Sequence, residues 1–368
     1  MRDLTDLRQR QALPLDAKVL MTQVRIREWY NHFNGDVYVS FSGGKDSTVL
    51  AHIVRGMYPD VPLVFANTGL EYPEVQAFAK KMGADIVRPR MQFSEVISTF
   101  GYPIISKEYS EHIYYARRIR NSTVVTYKGY KKTEITRERL LALKPSMFNC
   151  KKWLPLCQET SFPISHICCE MIKKSPLKEY QHKAKRYPYV GTLAEESLLR
   201  EQSWLKNGCN SFEGKKRKSQ PLSFWREQDI LKYVKQEDLE IASVYGEIVC
   251  VDDFGFEYEP MPGVDCKLKC TGCDGTGCIF CCFGMHLEKG ETRIQRLAKT
   301  HPRQYEYCLR GGQWVDNPAY DKAAPKMDGD WKNWNPKKIW VPSKDGLGMK
   351  KVFDDCNQIY GKDFIRYE

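Results

Sequence analysis

Residues 37–50, Val-Tyr-Val-Ser-Phe-Ser-Gly-Gly-Lys-Asp-Ser-Thr-Val-Leu, determine how the chain folds. The apolar run Val37–Val39 predicts a short buried strand, and the apolar positions between Ser47 and Met57 recur with the period of an amphipathic helix. The connecting stretch Ser40–Ser47, here called the Gly-Gly loop, contains two glycines that allow a sharp backbone turn. A strand, a glycine loop and a helix in this order predict the first unit of an α/β fold.

The alternation of strands and helices continues beyond this loop. The further predicted elements are strands at 61–66, 85–88 and 189–192, and helices at 15–34, 73–82, 92–100 and 228–234. Strands separated by helices of this length imply right-handed crossovers, which place the strands parallel and the helices on both faces. We therefore predict an α/β fold with a mostly parallel, doubly wound sheet.

The Gly-Gly loop has the features of an anion-binding site. A helix that begins near Ser47 presents backbone N–H groups and the positive end of its dipole to a ligand. Ser42 and Ser47 add hydroxyl donors, Lys45 adds a positive charge, and Asp46 either caps the helix or helps to hold Mg²⁺. The loop lacks the GxxxxGKS/T spacing, so transfer of a γ-phosphate is not implied. The sequence predicts a phosphate-binding loop at the carboxyl end of the first strand.

The composition is that of a globular protein that works inside the cell. Hydrophobic residues make up 42% of the 368 residues and charged residues 28%. No apolar run approaches the roughly 18 residues of a transmembrane helix, and the first residues lack a secretory signal, so we expect a cytoplasmic protein without a membrane partner. The net charge of +11 tolerates a polyanionic partner. Fourteen cysteines in such a chain indicate metal or redox chemistry.

Several blocks of the sequence resemble one family. The SGGKDS of the Gly-Gly loop resembles the PP-loop ATP pyrophosphatase superfamily, whose members split the α–β bond of ATP or bind adenylyl sulfates. The downstream blocks are similar to those of its phosphoadenosine phosphosulfate (PAPS) reductase-like branch. In the expected order they are Asn67–Glu74, Cys168–Pro176, Gly191–Arg200 and Pro221–Tyr233. The resemblance implies an adenine nucleotide alpha hydrolase-like fold.

The resemblance also implies roles for individual residues. Lys45, Asp46 and Arg200 are implied as catalytic residues, with Arg200 in contact with a ligand phosphate. The residues implied in nucleotide binding are Ser40, Ser42, Gly43, Gly44, Lys45, Asp46, Ser47, Asn67, Thr68 and Gly69. The expected ligand is ATP with Mg²⁺, or an adenylyl sulfate.

Two departures from the reductases distinguish this chain. Sulfonucleotide reductases usually lack the double glycine, whereas Gly43 and Gly44 keep the loop intact. The reductases also end in a Glu-Cys-Gly-His-type tail with a nucleophilic cysteine, whereas this sequence ends Asp363–Glu368 without one. Both features favour ATP activation, as in the sulfur-inserting relatives of the DndC type and the tRNA thiolases.

The cysteines form two alternative predicted metal sites. Cys168, Cys169, Cys278 and Cys281 resemble the CC…CxxC pattern that binds a 4Fe-4S cluster in assimilatory adenylyl-sulfate reductases. The rival set is Cys270, Cys273, Cys278 and Cys281, two CxxC pairs that could close a Zn²⁺ or Fe–S site by themselves. We interpret Cys250 and Cys308 as ordinary small apolar residues, and a cysteine left free, such as Cys209 or Cys282, as a candidate persulfide carrier.

Composition divides the chain into three predicted segments. Residues 1–35 are an N-terminal helical segment, 36–250 a nucleotide-binding domain with a basic insertion at about 109–150, and 251–368 a Cys-rich, metal-binding C-terminal region. The basic insertion, together with Lys215–Lys218, is either a solvated surface or a track for a phosphate backbone, which makes tRNA or DNA a candidate partner.

Three functions fit these observations. The leading hypothesis is an ATP-dependent enzyme that activates an acceptor by α-phosphate chemistry with release of pyrophosphate, and then transfers sulfur from a donor protein to a nucleic acid or another acceptor. The first alternative is an adenylyl-sulfate or phosphoadenylyl-sulfate reductase that releases sulfite. The second is a non-catalytic, nucleotide-sensing component that binds nucleic acid within a modification or defence complex. The sequence does not indicate an oligomeric state.

Overall fold

A computed structural model of the chain describes residues 3–118, 124–125, 135–136, 150–214, 217–261, 264–322 and 334–368. The chain divides into two compact units, of which unit 1 comprises Met1–Pro89 and Lys173–Cys278 and unit 2 comprises Arg90–Ile172 and Ile279–Glu368. Each unit is therefore assembled from two separate stretches of sequence. This division differs from the three segments expected from composition, because the nucleotide-binding stretch 36–250 contributes to both units.

Helices occur in both units. In chain order they are α1 (Leu4–Gln11), α2 (Leu15–His32), α3 (Lys45–Met57), α4 (Pro73–Lys81), α5 (Phe93–Phe100), α6 (Lys107–Arg118), α7 (Cys150–Glu159), α8 (Ser175–Ala184), α9 (Leu198–Asn207), α10 (Glu227–Gln236), α11 (Arg293–Thr300), α12 (Pro302–Leu309) and α13 (Met349–Tyr360). Within the described ranges, no helix is long and apolar enough to cross a membrane.

The strands are short. In chain order they are β1 (Val37–Phe41), β2 (Leu63–Ala66), β3 (Asp85–Val87), β4 (Ile104–Ile105), β5 (Val124–Val125), β6 (Ile135–Thr136), β7 (Tyr187–Val190), β8 (Asn210–Ser211), β9 (Lys218–Ser219), β10 (Ile248–Val251), β11 (Lys267–Cys270), β12 (Cys282–Phe283), β13 (Gln313–Asp316) and β14 (Lys338–Val341).

Unit 1 is built on a six-stranded sheet of order β3-β2-β1-β7-β9-β8. All neighbouring pairs are parallel except β8 with β9 at the edge. The central strand β1 is apolar and buried because it is covered on both faces, as parallel strands usually are. The predicted α/β fold with a mostly parallel sheet is confirmed.

The helix after the Gly-Gly loop packs its apolar side against this sheet. Val49, Leu50, Ile53 and Val54 of α3 are buried, at the spacing that places them on one helical face. The strands and helices predicted from the pattern recur with ends shifted by a few residues. One placement differs, because the helix predicted at 92–100 is α5 and belongs to unit 2.

Unit 2 combines small elements from both sides of the sequence. The strands β4 and β12 pair in parallel, with Ile104 opposite Cys282, and β13 and β14 form an antiparallel pair. Most of the predicted basic insertion at about 109–150, including Lys128, lies outside the described residues. Lys215 also lies outside them.

The prediction that Cys250 is an unpaired apolar residue is wrong. Cys250 of β10 forms a disulfide with Cys266, 16 residues later, and the bond closes the hairpin that joins β10 to β11. The sequence did not show this pairing because spacing alone cannot assign disulfide connectivity. Cys308, in contrast, is free and fully buried.

Candidate functional site

The Gly-Gly loop joins β1 to α3 in a backbone conformation that requires glycine. Gly43 has a φ of +69°, in the left-handed region, and a Cβ at this position would lie 2.7 Å from Val75 Cγ1. Gly44 caps the start of α3, and a Cβ there would lie 3.1 Å from Tyr245 Oη. The two glycines therefore allow Val75 and Tyr245 to pack closely against the helix N-terminus, the kind of position where anions bind.

Hydroxyl groups fix the shape of the loop. Ser42 Oγ lies 2.9 Å from Ser47 Oγ, and the Ser42 N–H donates to Ser47 Oγ at 3.1 Å. Thr48 Oγ1 donates to the Gly44 carbonyl at 3.0 Å. The predicted donors Ser42 and Ser47 are thus brought together, whereas Ser40 lies within β1. These hydrogen bonds hold Ser42, Gly44 and the first turn of α3 together.

Lys45, the first residue of α3, has a buried side chain with two partners. Its ammonium lies 2.9 Å from Glu227 Oε1 and donates to the Asp274 carbonyl at 2.5 Å. Burial lowers the pKa of Lys45, but the hydrogen bond to Glu227 and the nearby Asp46 carboxylate outweigh burial, so the pKa lies above its usual value. The lysine is therefore positively charged, and Glu227 and Asp274 hold it in place.

Two hydroxyls from distant parts of the chain cover the loop. The Lys45 N–H donates to Tyr245 Oη at 3.2 Å, and Tyr245 Oη lies 2.8 Å from Thr276 Oγ1. A neutral oxygen thus accepts from one of the amides at the start of α3. Anions accept hydrogen bonds from such amides. The Tyr245 oxygen therefore occupies a position where a phosphate oxygen could accept from the Lys45 N–H.

Asp46 is the least satisfied polar group of the loop. Its Oδ1 atom is buried and has no hydrogen-bond partner among the described residues. Burial raises the pKa of Asp46 above its usual value, the Lys45 charge opposes this shift, and Glu227 adds to it. A buried carboxylate oxygen without a partner is costly unless a cation or donor completes it.

Arg200 lies on α9 and interacts electrostatically with the same aspartate. Burial lowers the pKa of Arg200, while the Asp46 charge opposes that shift. The guanidinium also forms an ion pair with Glu196, and Ser197 Oγ accepts the Arg200 N–H at the start of the helix. The three predicted catalytic residues, Lys45, Asp46 and Arg200, are therefore brought to one region of unit 1.

The predicted nucleotide contacts Asn67, Thr68 and Gly69 form a turn after β2. Thr68 Oγ1 donates to Glu71 Oε1 at 2.7 Å, and the Gly69 N–H donates to Asn67 Oδ1 at 3.0 Å. Since β2 is the parallel neighbour of β1, this turn and the Gly-Gly loop leave the same edge of the sheet. The polar side chains of the turn are thus held by hydrogen bonds within it and to Glu71.

The end of β7 completes this edge of the sheet. Gly191 follows β7 directly, and a Cβ at this position would lie 3.1 Å from the backbone of Asp46 and Ser47. Such a contact is tight, so a glycine lets the chain pass close to the start of α3 without displacing its backbone. Both ends of the block Gly191–Arg200 are therefore near Asp46. Gly191 lies close to the backbone of Asp46, and Arg200 interacts with its charge.

Glu227, Tyr245, Asp274 and Thr276 contact the Gly-Gly loop but were not predicted as site residues. Glu227 lies inside the resemblance block Pro221–Tyr233, so its place in that block could have indicated a site residue. The aspartate of that block, Asp229, instead pairs with buried Lys18 at 2.6 Å, which is a structural role.

The predicted metal ligands are divided between the units. Cys168, Cys169 and Cys281 belong to unit 2, whereas Cys278 belongs to unit 1. Cys168 Sγ and Cys169 Sγ are 4.0 Å apart, and burial raises the pKa of Cys281, with a further contribution from Cys169. Within the described part of the chain, no group of three or more Cys, His, Asp or Glu side chains is arranged to hold a metal ion.

The rival set is divided in the same way. Cys270 and Cys273 are buried in unit 1, and Cys281 lies in unit 2. Burial raises the pKa of the Cys270 thiol, and the charge of Lys45 opposes this shift. The assembly of either four-cysteine set therefore stays a prediction.

Two candidate persulfide carriers and one residue of the basic insertion are buried. Burial raises the pKa of Cys282 well above its usual value, which disfavours it as a persulfide carrier, and Cys209 is buried as well. Arg117, one of the residues predicted for a phosphate track, is also buried, and its guanidinium donates to the Phe162 carbonyl at 2.8 Å and to Thr160 Oγ1 at 2.8 Å. Its role is structural.

Unit 1 is an α/β domain with a mostly parallel sheet and a Gly-Gly loop between its central strand and the following helix. Residues 36–144 match the family model of the phosphoadenosine phosphosulfate reductase domain. The resemblance to this family that the sequence predicts is therefore confirmed, and the match covers this stretch of the chain.

Two proteins of Methanocaldococcus jannaschii, both described as uncharacterized, are similar to this chain. One is 25% identical over 256 residues, which cover 66% of this chain and 44% of the relative. The other is 36% identical over 84 residues, which cover 21% of this chain and 18% of the relative. The chain thus spans less than half the length of either relative.

Two solved structures show weak similarity. The phosphoadenylyl-sulfate reductase of Candida auris, in complex with phosphate, has 12% identity and a TM-score of 0.35, over 60% of this chain and 82% of its own. The tRNA thiolase NcsA of Methanococcus maripaludis, solved with its 4Fe-4S cluster, has 14% identity and a TM-score of 0.31, over 61% and 66%.

Proposed function

We propose that unit 1 binds ATP with Mg²⁺ and activates an acceptor oxygen by α-phosphate chemistry with release of pyrophosphate. The observation that carries this proposal is the intact Gly-Gly loop at the start of α3, with Lys45 and Arg200 near it. Members of the family handle adenine nucleotides with a sulfate or another group on the α-phosphate. The double glycine, which the reductases usually lack, favours a ligand that carries the full pyrophosphate.

The β- and γ-phosphates would lie against the Gly-Gly loop. Backbone N–H groups at the start of α3, the Ser42 and Ser47 hydroxyls and the Lys45 ammonium are donors suited to phosphate oxygens. The turn Asn67–Gly69, at the same edge of the sheet, would bind the adenosine. This arrangement requires Tyr245 to give up the Lys45 amide to the phosphate.

The site also suits Mg²⁺. Asp46 Oδ1 is a buried carboxylate oxygen that lacks a hydrogen-bond partner among the described residues, and Mg²⁺ in nucleotide sites is held by one or two carboxylates together with phosphate oxygens. A bound Mg²⁺ would supply charge neutralisation at the phosphates. Asp46 is the residue that would hold it.

The reaction would proceed by positioning and charge neutralisation. The acceptor oxygen forms a bond to the α-phosphorus, the bond from the α-phosphorus to the bridging oxygen breaks, and pyrophosphate leaves with that electron pair. Lys45 and Arg200 stabilise the negative charge that develops on the leaving group and the α-phosphate. Hydrosulfide supplied by a donor protein then attacks the carbon that carries the activated oxygen, the carbon–oxygen bond breaks, and AMP leaves with that electron pair. The acceptor, which we propose is a nucleic acid, keeps the sulfur in place of the oxygen.

The cysteines are the candidate ligands for the predicted 4Fe-4S cluster or Zn²⁺. Among the described residues, they form no group that is arranged to hold a metal ion. Quantification of iron and zinc in anaerobically purified protein decides between the two predicted cofactors. Substitution Cys168→Ser should lower the metal content if the first set binds it, and Cys270→Ser should do so if the rival set binds it.

Three parallel incubations test the function. The protein is incubated with ATP and Mg²⁺ alone, with the same mixture plus tRNA or DNA, and with adenylyl sulfates plus thioredoxin. We expect pyrophosphate release that increases with the nucleic acid and is lost in Gly44→Val. Sulfite release in the third mixture, without pyrophosphate release in the others, would identify the chain as a sulfonucleotide reductase.

A further inference from the structure

A cavity of about 400 Å³ lies beside the Gly-Gly loop, entirely within unit 1. Its size falls within the roughly 300–1,000 Å³ of small-molecule sites. Glu227 and Asp274, the two partners of the Lys45 ammonium, line one side of it, and Cys270 lines it next to them. The cavity therefore adjoins the proposed phosphate site without being part of it.

Two lysines and an aromatic ring also line the cavity. Lys267 and Lys269 line the cavity from β11, where they are two residues apart and exposed, so both side chains leave the same face of the strand. Phe254 lines it from the β10–β11 hairpin and is 87% exposed. Two ammonium groups suit an anionic group of a ligand, and an exposed aromatic face suits a flat ring.

The hairpin that carries these residues is held in shape. Asp252 Oδ1 accepts the N–H groups of Phe254 and Phe256, both at 2.9 Å, and the Cys250–Cys266 disulfide closes the loop. The Gln228 side chain of α10 bonds both backbone groups of Leu268, at 2.9 and 2.8 Å. The backbone that carries the ring and the lysines is thus held by a disulfide and by hydrogen bonds.

We propose that this cavity binds one nucleotide unit, with its base stacked on Phe254 and its phosphate at Lys267 and Lys269. A base presents a π-face to the ring, and its N–H groups can donate to the carboxylates of Glu227 and Asp253, which line the same cavity. Extrusion of a single base into such a pocket is how enzymes reach base atoms. The inference rests on the proposed function and names its acceptor as a nucleoside phosphate.

Binding of a short fluorescein-labelled single-stranded oligonucleotide to the full chain, followed by fluorescence anisotropy without ATP, tests the proposal. Loss of one stacked base weakens binding by roughly tenfold, so Phe254→Ala should raise the Kd by about that factor. Phe256→Ala is the matched control, because Phe256 is 72% exposed in the same hairpin but does not line the cavity. We expect its Kd to stay within about twofold of the unsubstituted protein.

The phosphate contact is tested by salt dependence. Lys269→Ala should lower the slope of log Kd against log salt by about one, and Lys206→Ala, an exposed lysine of α9, should leave it unchanged. Competition by a free nucleoside monophosphate identifies the source of the ligand. Displacement indicates that the cavity takes a free nucleotide, and failure to displace indicates that it takes a nucleotide within a strand.

Two outcomes overturn the proposal. One is absence of binding of both the oligonucleotide and the monophosphate, and the other is an equal Kd for the Phe254→Ala and Phe256→Ala variants. Failure of the proposed function is distinguishable, because it consists of no ATP binding and no pyrophosphate release. Binding of the oligonucleotide to the cavity is measured without ATP, so its result does not depend on whether the protein binds ATP.

Discussion

Lys45 and Glu227 form an ion pair at 2.9 Å in which the lysine side chain is 7% exposed and the glutamate 51%. The proposed phosphate site therefore contains a carboxylate that competes with the ligand for the same ammonium. This competition makes the affinity for ATP dependent on a residue outside the Gly-Gly loop.

Substitution Glu227→Gln should strengthen ATP binding by roughly two- to fivefold, because a partly exposed ion pair contributes up to about 1 kcal/mol and its removal frees Lys45 for phosphate. Isothermal titration with ATP and Mg²⁺ measures this change. Glu240→Gln removes a similarly exposed carboxylate that pairs with Lys81 and should have no effect. Weaker binding in Glu227→Gln would show that the glutamate positions Lys45 for the ligand.

Substitution Gly43→Ala should destabilise unit 1 by about 1–3 kcal/mol, because a Cβ at a φ of +69° is strained and meets Val75. Denaturant unfolding measures the loss. Gly56→Ala is the control, since Gly56 lies in α3 and a Cβ added there would have no heavy atom within 4 Å among the described residues. It should stabilise the protein by up to about 1 kcal/mol. Equal stability of the two variants would contradict the geometry of the loop.

Substitution Asp46→Asn should stabilise the ligand-free protein and abolish its stabilisation by ATP with Mg²⁺. Burial raises the folded-state pKa of Asp46, so the folded state binds more protons than the unfolded state, and stability falls as pH rises from the usual carboxyl pKa through the raised value. Removing the charge should recover on the order of 1 kcal/mol above that range. Thermal melts with and without ligand check both effects.

The pH dependence offers a second check on the same residue. Between the usual carboxyl pKa and the raised value, the stability of the unsubstituted chain should decline relative to that of Asp46→Asn. A constant difference between the two proteins over this range would mean that Asp46 does not titrate there.

Reduction of the Cys250–Cys266 disulfide should lower stability by about 3 kcal/mol, the value that loop-closure entropy gives for a loop of roughly 15 residues. Unfolding in the presence and absence of reductant measures the difference. The double substitution Cys250→Ala, Cys266→Ala should remove the effect of the reductant. If the reductant still lowered the stability of this double variant, the loss would come from cysteines other than Cys250 and Cys266.

Local sequence patterns predicted the sheet and the loop because these depend on neighbouring residues. Apolar periodicity located β1 and α3, and the consecutive glycines located the turn between them. The contacts that cover the loop could not be predicted in this way. Tyr245 and Asp274 reach Lys45 from 200 and 229 residues away, and no short-range pattern encodes such pairs.

The cysteines show the same limit in another form. Their spacing suggested metal sites, yet spacing carries no information on which thiols meet in space, and Cys250 and Cys266 pair in a disulfide. The helix predicted at 92–100 was placed in the nucleotide-binding stretch, but it belongs to unit 2. Apolar periodicity predicts a helix and does not indicate which unit the helix joins.

The two-part construction of unit 1 has a consequence for its synthesis. Residues 90–172 separate its two stretches, and the chain emerges from the ribosome from its N-terminus at about 5–20 residues per second. The Gly-Gly loop is made early, but Tyr245 and Thr276 follow only after more than half of the chain has been translated. During that interval Tyr245 and Thr276 do not yet cover the nascent loop, so a nucleotide or a chaperone can reach it.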